Sequence, residues 1–157
     1  MVPDHLSALR VWVSNVSRLI EMLKLHEGVE HFAYECSESK ITIGCGRNVD
    51  RDGGLGLSED EIDYLLQNDI DRCVAELSGE YPWFQKLDDV RRDAITDIFF
   101  NLGATRFRGF RKAIGYMESG DFILAAHEFR DSRWADQVKG RADTLTDMIE
   151  TGDYGTT

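Results

Sequence analysis

The chain is short of basic residues for its size. Its 157 residues include 18 lysines and arginines against 29 aspartates and glutamates, which gives a formal net charge of -11 at pH 7. A nucleic-acid-binding surface needs a concentrated basic patch, and these basic residues are scattered among the acids. The same acidity argues against passive adhesion to anionic membranes or cell walls. We therefore expect no nucleic-acid partner.

Cysteine is also scarce. Three cysteines with no Cys-x-x-Cys spacing argue against a zinc site or a disulfide framework. The thiols are therefore either buried and inert, or one of them takes part in chemistry. The four histidines show no metal-ligand spacing, so we expect neither a metal nor a cofactor; they are His5, His26, His31 and His127.

Long apolar runs are missing as well. The N-terminal apolar pattern is interrupted by polar residues, so it predicts no secretory signal and no membrane span; the interruptions are Arg10, Ser14, Asn15, Ser17 and Arg18. We expect the protein to be present first in a cytosol and not to insert into a membrane. Its 42% hydrophobic and 30% charged residues are those of an ordinary soluble protein, and its length suffices for one domain or for a small lobe and a larger one. We expect a monomer.

The stretch Leu25–Arg47 organises the rest of the chain. A helical pattern closes at Glu27, and Gly28 follows as a helix stop because glycine adopts the left-handed conformation at little cost. Two alternating apolar runs then flank a polar turn at residues 37–39, which predicts a β-hairpin. A carboxylate at the mouth of a small sheet is well placed for acid chemistry.

Helical patterns dominate the remainder. An amphipathic helix is expected over residues 4–26, packed on its own domain or serving as an arm that docks a partner. Ser58 and Glu61 form a capping-box pattern ahead of a long helix, after a glycine-rich loop at 48–57. An apolar stripe from Val90 to Leu102, ended by Gly103, predicts the central core helix, and shorter helices follow at about 107–118, 121–131 and 140–150. The fold class is therefore α+β, one small hairpin with many helices.

Several segments together resemble the tailed-phage lysozymes of the T-even type, glycoside hydrolase family 24. The resemblance covers about residues 17–154 and implies a lysozyme-like fold in a single domain: an extra helical segment at 1–16, a small lobe at about 17–60, and a helical lobe at about 61–157 on which the N-terminal helix packs. It rests on Leu19 to Leu23 leading to Glu27-Gly28, on Tyr34, Thr42 to Gly46, Ser58 to Asp71, Leu87 to Ile95, Phe100 to Gly103, Ser132 to Trp134 and Arg141-Ala142.

The resemblance implies three catalytic residues. Glu27 matches the acid that protonates the glycosidic oxygen, a role suited to a glutamate that is partly shielded from water. Cys36 stands nine residues on, where the family usually has aspartate, and an ionised thiol could act there as a nucleophile or hold a water. An inert thiol is the alternative for Cys36. Thr42 matches the residue that holds the attacking water.

The resemblance also implies residues that bind substrate. Arg141 matches the basic residue that pairs with the catalytic acid across a cleft, while Asn101 and Arg133 match positions that line it. Arg47 is expected to pair with Asp69 on the long helix. Trp134 is expected to pack in the core or at a hinge. We also considered a regulatory disulfide between Cys36 and Cys45, since both lie on the predicted hairpin.

The function implied is that of an endolysin. It would hydrolyse the β-1,4 bond between N-acetylmuramic acid and N-acetylglucosamine in bacterial peptidoglycan, and would act on the wall after holin-dependent release from the host cytoplasm. Two alternatives stay open. A lytic transglycosylase needs one acid and no second carboxylate, although the retained Thr42 argues against it. A degenerate wall-binding or virion structural module would keep the fold without turnover.

Overall fold

The computed structural model describes residues 5–155, with side chains from residue 16 onward. Within it, seven α-helices accompany a three-stranded antiparallel sheet, so the prediction of an α+β fold is confirmed. The chain divides into two compact units between Ile62 and Asp63. The elements are α1 His5–Glu27, β1 Glu30–Glu35, β2 Ile41–Gly44, β3 Arg47–Asn48, α2 Glu59–Glu80, a 3-10 turn Phe84–Lys86, α3 Asp89–Phe107, α4 Arg111–Ser119, α5 Phe122–Arg130, α6 Arg133–Val138 and α7 Gly140–Thr151.

The junction between α1 and the sheet confirms the predicted helix stop. Helix α1 ends at Glu27, and Gly28 takes a left-handed φ of 77°. That conformation lets the chain reverse into β1 without the clash a side chain would meet. The predicted helix began at residue 4, which lies outside the described residues. The side chains of the first eleven helical residues, 5–15, are also outside the described part of the chain, and part of the predicted amphipathic face lies on them.

The hairpin turns where the sequence predicts. Tyr34 pairs with Thr42 across β1 and β2, and the turn is closed by a hydrogen bond of 2.9 Å from the Cys36 N–H to the Lys40 carbonyl. Ser39 occupies the turn with a positive φ of 56°. The third strand is absent from the prediction, because a strand of two residues is too short to show alternation.

The start of α2 explains a wrong prediction about Arg47. Glu61 reaches back to the Ser58 N–H at 2.8 Å, as the capping-box pattern predicts. The same carboxylate forms an ion pair with Arg47, whose Nε also donates to the Gly56 carbonyl at 2.8 Å. Asp69, the expected partner of Arg47, instead pairs with Arg72 one turn along α2. The loop returns Arg47 to the first turn of this helix, whereas Asp69 lies two turns further on.

The second unit has an aromatic and aliphatic core around α3. Five residues of α3 are almost fully buried, namely Ala94, Ile95, Ile98, Phe99 and Phe107. Gly103 interrupts the helix with φ 72° and ψ 161°, which agrees with the predicted stop, and a further turn runs on to Phe107. The predicted helices near 107–118, 121–131 and 140–150 correspond to α4, α5 and α7, but α6 and the 3-10 turn are absent from the prediction. Among the described residues, no helix is both long and apolar enough to cross a membrane.

Candidate active site

Glu27 lies at the C-terminal end of α1, beside the backbone that follows β2. A methyl group placed on Gly46 would lie 3.0 Å from the Glu27 Oε2, and Gly46 has a φ of +72°. Glycine at this position therefore leaves room for the carboxylate. The side chain of Glu27 is exposed, so the expected shielding from water is wrong for the described residues. The reason is that α1 ends at Glu27 and Gly28 turns the chain, so no further helical turn covers the carboxylate.

Cys36 is half-buried at the end of β1, where the hairpin begins to turn. Hydrogen bonds from the backbone N–H groups of Glu38 and Lys40, and then one with the Thr42 side chain, lower the pKa of the Cys36 thiol below its ordinary value. Partial burial and the negative charge of Glu38 oppose this effect without reversing it. Hydrogen bonds to sulfur favour its charged form, which is the nucleophilic and basic one.

Cys73 provides an internal comparison. It lies on α2 and is half-buried like Cys36. Burial, followed by the negative charge of Glu76, raises the pKa of the Cys73 thiol. The two thiols therefore have opposite tendencies to ionise. Of the two, Cys36 is the thiol that ionises more readily.

Thr42 lies in the middle strand, between Tyr34 on β1 and Asn48 on β3. Only 4% of its surface is exposed, and its Oγ1 lies 3.2 Å from the Lys40 carbonyl oxygen as a donor. Thr42 lies opposite Tyr34, and paired residues of an antiparallel sheet point to the same face. Cys36 is two residues after Tyr34 and shares that face, so Thr42 and Cys36 are diagonal neighbours on it. The structure thus brings Cys36 and Thr42 together, while Glu27 lies near the other end of β1.

A disulfide between Cys36 and Cys45 is excluded by the register of the hairpin. Cys36 lies opposite Lys40 at the turn, whereas Cys45 follows Gly44, which pairs with Glu30 at the far end. The four residues of β2 lie between Lys40 and Cys45, so the two are five residue steps or about 16 Å apart along an extended strand. A disulfide needs α-carbons within roughly 4.4 to 6.8 Å. The hypothesis was wrong because the cysteines lie at opposite ends of neighbouring strands.

The residues expected to bind substrate from the helical part of the chain lie in the second unit. Arg141 binds Asp97 through its Nε and Nη2, at 2.9 and 2.8 Å. The pair borders a recess of about 410 Å³ whose lining is otherwise mainly apolar, formed by Leu66, Ile70, Asp93, Thr96 and Phe100. Sequence reasoning missed Asp97, because 44 residues separate it from Arg141 and no local pattern links them.

Asn101 contacts the indole of Trp134, and Arg133 is the residue before Trp134 in the sequence. The Trp134 Nε1 donates to the Asn101 Oδ1 at 2.9 Å, so Asn101 holds the indole in place. Trp134 is only 5% exposed and packs edge-on against Phe110 and Phe129, which confirms the expectation that it packs in the core. Arg133 is exposed as the first residue of α6.

The described elements, a helix ending in a carboxylate, a small sheet and a helical unit, are those of a glycoside hydrolase of the lysozyme class. Residues 24–148 match the phage lysozyme family, so the chain belongs to that family. This confirms both the resemblance in the sequence and the expectation of a lysozyme.

Three relatives illustrate the range of the family. The probable T4-type lysozyme 2 of Dictyostelium discoideum is 27% identical over 87% of this chain and 96% of its own length. An endolysin of Acyrthosiphon pisum secondary endosymbiont phage 1 is 26% identical over 82% of this chain and 86% of its own length. The pre-baseplate central spike protein of Enterobacteria phage T4 is 28% identical over 85% of this chain but only 28% of its own length.

Proposed function

We propose that the protein is an endolysin that hydrolyses the β-1,4 bond between N-acetylmuramic acid and N-acetylglucosamine in peptidoglycan. Membership of the phage lysozyme family makes the bacterial wall the substrate class. The observation that carries the proposal is the hairpin, which places Cys36 at its turn, diagonal to Thr42, at the position where the family usually has aspartate. Hydrogen bonding with the backbone of Glu38 and Lys40 lowers the pKa of the Cys36 thiol. These bonds favour an ionised second group, which is what a glycosidase requires beside its acid.

Each catalytic residue has a separate proposed task. Glu27 donates its proton to the glycosidic oxygen as the bond to the muramic acid C1 breaks. The ionised Cys36 serves the opposite step, either by taking a proton from the attacking water or by bonding to C1 itself. Thr42 lies against Cys36 and holds the water with it. In the first route the water adds to C1 as hydroxide and its proton goes to Cys36, after which exchange with solvent reprotonates Glu27 and deprotonates Cys36. In the second route Glu27 takes the proton of a water whose oxygen displaces the sulfur from C1, which restores the acid and the thiolate.

Three residues of the second unit are proposed to bind the saccharide. The guanidinium of Arg141 can bind oxygens of the saccharide. Without substrate, its Nη2 lies 2.8 Å from the Asp97 Oδ1. Arg133 is an exposed cation that can donate to sugar or peptide oxygens. Asn101 is tied to Trp134, so its part is to fix the wall of the binding surface.

We further propose that the enzyme resides in the host cytoplasm and reaches the wall after a holin opens the inner membrane. The endolysin among its relatives supports this role. The proposal makes a simple prediction for cells: expression of the protein alone leaves the culture intact, and co-expression with a holin lyses it.

A lytic transglycosylase is the competing enzyme. Such an enzyme uses the muramic acid's own hydroxyl as the nucleophile, so it needs no ionised group to activate water. In such an enzyme neither the lowered pKa of the Cys36 thiol nor its position beside Thr42 would contribute to a step of the reaction. The virion spike protein among the relatives keeps a third possibility open, a wall-binding module within a virion.

Digestion of purified peptidoglycan separates these three functions. The reduced protein is incubated with the wall polymer, and the soluble fragments are weighed by mass spectrometry. We expect fragments that end in a free reducing N-acetylmuramic acid. Fragments lighter by one water would identify a transglycosylase, and protein that binds the polymer without releasing fragments would identify a binding module.

A further inference from the structure

The basic residues of this acidic chain are scattered with one exception, a short segment between α3 and α4. Residues 106–112 hold four of the chain's 18 basic residues, and residues 98–117 contain no aspartate or glutamate; the four are Arg106, Arg108, Arg111 and Lys112. Arg108 binds Glu80 through two nitrogens, each at 2.8 Å. The proposed steps of hydrolysis use none of the four, so the segment needs an account of its own.

The other three basic residues line a recess of about 490 Å³ in the second unit. Glu128 of α5 also lines it, and its Oε1 lies 3.6 Å from the Lys112 Nζ. Arg106 and Arg111 are exposed, and within the described part of the chain neither forms an ion pair with an acid. Two guanidinium groups are therefore available to an anion. Their N–H groups match the two oxygens of a carboxylate, which favours that kind of ligand.

The recess adjoins the residues proposed to bind the saccharide. Phe110, which lines the recess, packs edge-on against Trp134 with ring centroids 6.5 Å apart. Trp134 donates to Asn101, and Ser132 of the recess is followed by Arg133 in the sequence. A substituent of a sugar bound beside Asn101 therefore has the recess one aromatic ring away. In peptidoglycan that substituent is the peptide stem, which is attached to N-acetylmuramic acid and carries free carboxylates.

We propose that Arg106 and Arg111 form a binding site for a free carboxylate of the peptide stem, so that the protein prefers peptidoglycan whose stem carboxylates are not amidated. This inference rests on the proposed action on peptidoglycan and adds a second point of recognition beside the saccharide. The site also helps a protein of net charge -11 to bind an anionic polymer. Attraction to the two guanidinium groups acts at contact, whereas repulsion between the net charges is screened beyond roughly 8 Å at physiological ionic strength.

The experiment measures binding to insoluble peptidoglycan, before and after its carboxylates are converted to amides with a carbodiimide and ammonia. Three proteins are compared by co-sedimentation, all carrying Glu27→Gln so that the polymer stays intact: the parent, Arg106→Gln/Arg111→Gln and the control Arg72→Gln/Lys86→Gln. The control removes two positive charges from exposed positions that do not line the recess. Melting temperatures establish that all three proteins are folded.

We expect Arg106→Gln/Arg111→Gln to bind unmodified peptidoglycan roughly threefold to thirtyfold more weakly than its parent, the effect of two lost ion pairs on an open surface. On amidated peptidoglycan the two proteins bind alike. The control binds both polymers as the parent does, because its charges lie outside the site.

Three results would overturn the inference. Unchanged binding by Arg106→Gln/Arg111→Gln would show that no ligand group lies at these residues. Equal weakening in the control would assign the effect to net charge. A difference between variant and parent that persists on amidated peptidoglycan would place a neutral part of the polymer in the recess.

The proposed hydrolysis is judged separately, on protein with Glu27 intact. Release of fragments by the wild type, combined with any of those three results, would leave the hydrolysis standing without the carboxylate site. A wild type that releases no fragments, while the three proteins bind as expected, would refute the hydrolysis and keep the site.

Discussion

Glu27→Gln abolishes hydrolysis of peptidoglycan, with a loss of roughly 10² to 10⁴-fold in turnover, the range attributed to a general acid. Glutamine keeps the shape of the side chain beside Gly46 and removes the proton that the leaving oxygen needs. The rate is followed by release of reducing ends from purified wall material. Because the amide is nearly isosteric with the acid, the protein retains its fold and its melting temperature.

Glu21→Gln is the matched control for that experiment. Glu21 lies on the same helix, six residues earlier, and its side chain is 75% exposed in a surface pair with Lys24. Such pairs contribute little to stability, so this variant retains wild-type turnover within about twofold. If Glu27→Gln lost no more activity than Glu21→Gln, the acid would be a different residue.

Cys36→Ala causes the second large loss, about 10²-fold or more in turnover, because no side chain then activates the water or bonds to the sugar. Cys36→Asp restores most of the activity, since a carboxylate at this position accepts the same hydrogen bonds from the turn amides of Glu38 and Lys40. Both proteins are assayed on the same wall preparation as the wild type, with reductant present throughout.

Cys45→Ala serves as the control for the loss of a thiol from the hairpin. Cys45 is exposed and lies at the opposite end of the strands, so its removal leaves activity unchanged. Wild-type turnover by Cys36→Ala would show that Cys36 is an inert thiol. Loss of activity in both Cys36→Ala and Cys36→Asp, with both proteins folded, would show that the sulfur itself is required and would favour a thiol-specific step.

Helix boundaries were the most predictable part of the fold, because their signals are local. Gly28 and Gly152 both take positive φ values at helix ends, and Asp88 accepts a hydrogen bond from the Arg91 N–H at the start of α3. Short elements were less predictable. The break between α6 and α7 falls at Lys139, a lysine with a φ of 49°, for which the sequence has no glycine or proline signal.

The candidate site was also predictable only in part. The resemblance to the family implies roles for Glu27, Cys36 and Thr42, but the setting of Cys36 does not follow from it. Its pKa depends on which backbone N–H groups point at the sulfur, and that is decided by the conformation of the turn rather than by the identity of the turn residues. The partner of Arg47 also depended on how a ten-residue loop folds back, so the sequence misassigned it.

Glu27 and Cys36 lie towards opposite ends of β1, so their cooperation is expected to run through the bound sugar rather than through direct contact. Turnover of Glu27→Gln, Cys36→Ala and the double variant on one peptidoglycan preparation tests this most directly, because residues that act as a unit are strongly non-additive. The account predicts that the double variant is about as slow as the slower single variant. Losses that multiply in the double variant would contradict it, because each residue would then contribute independently.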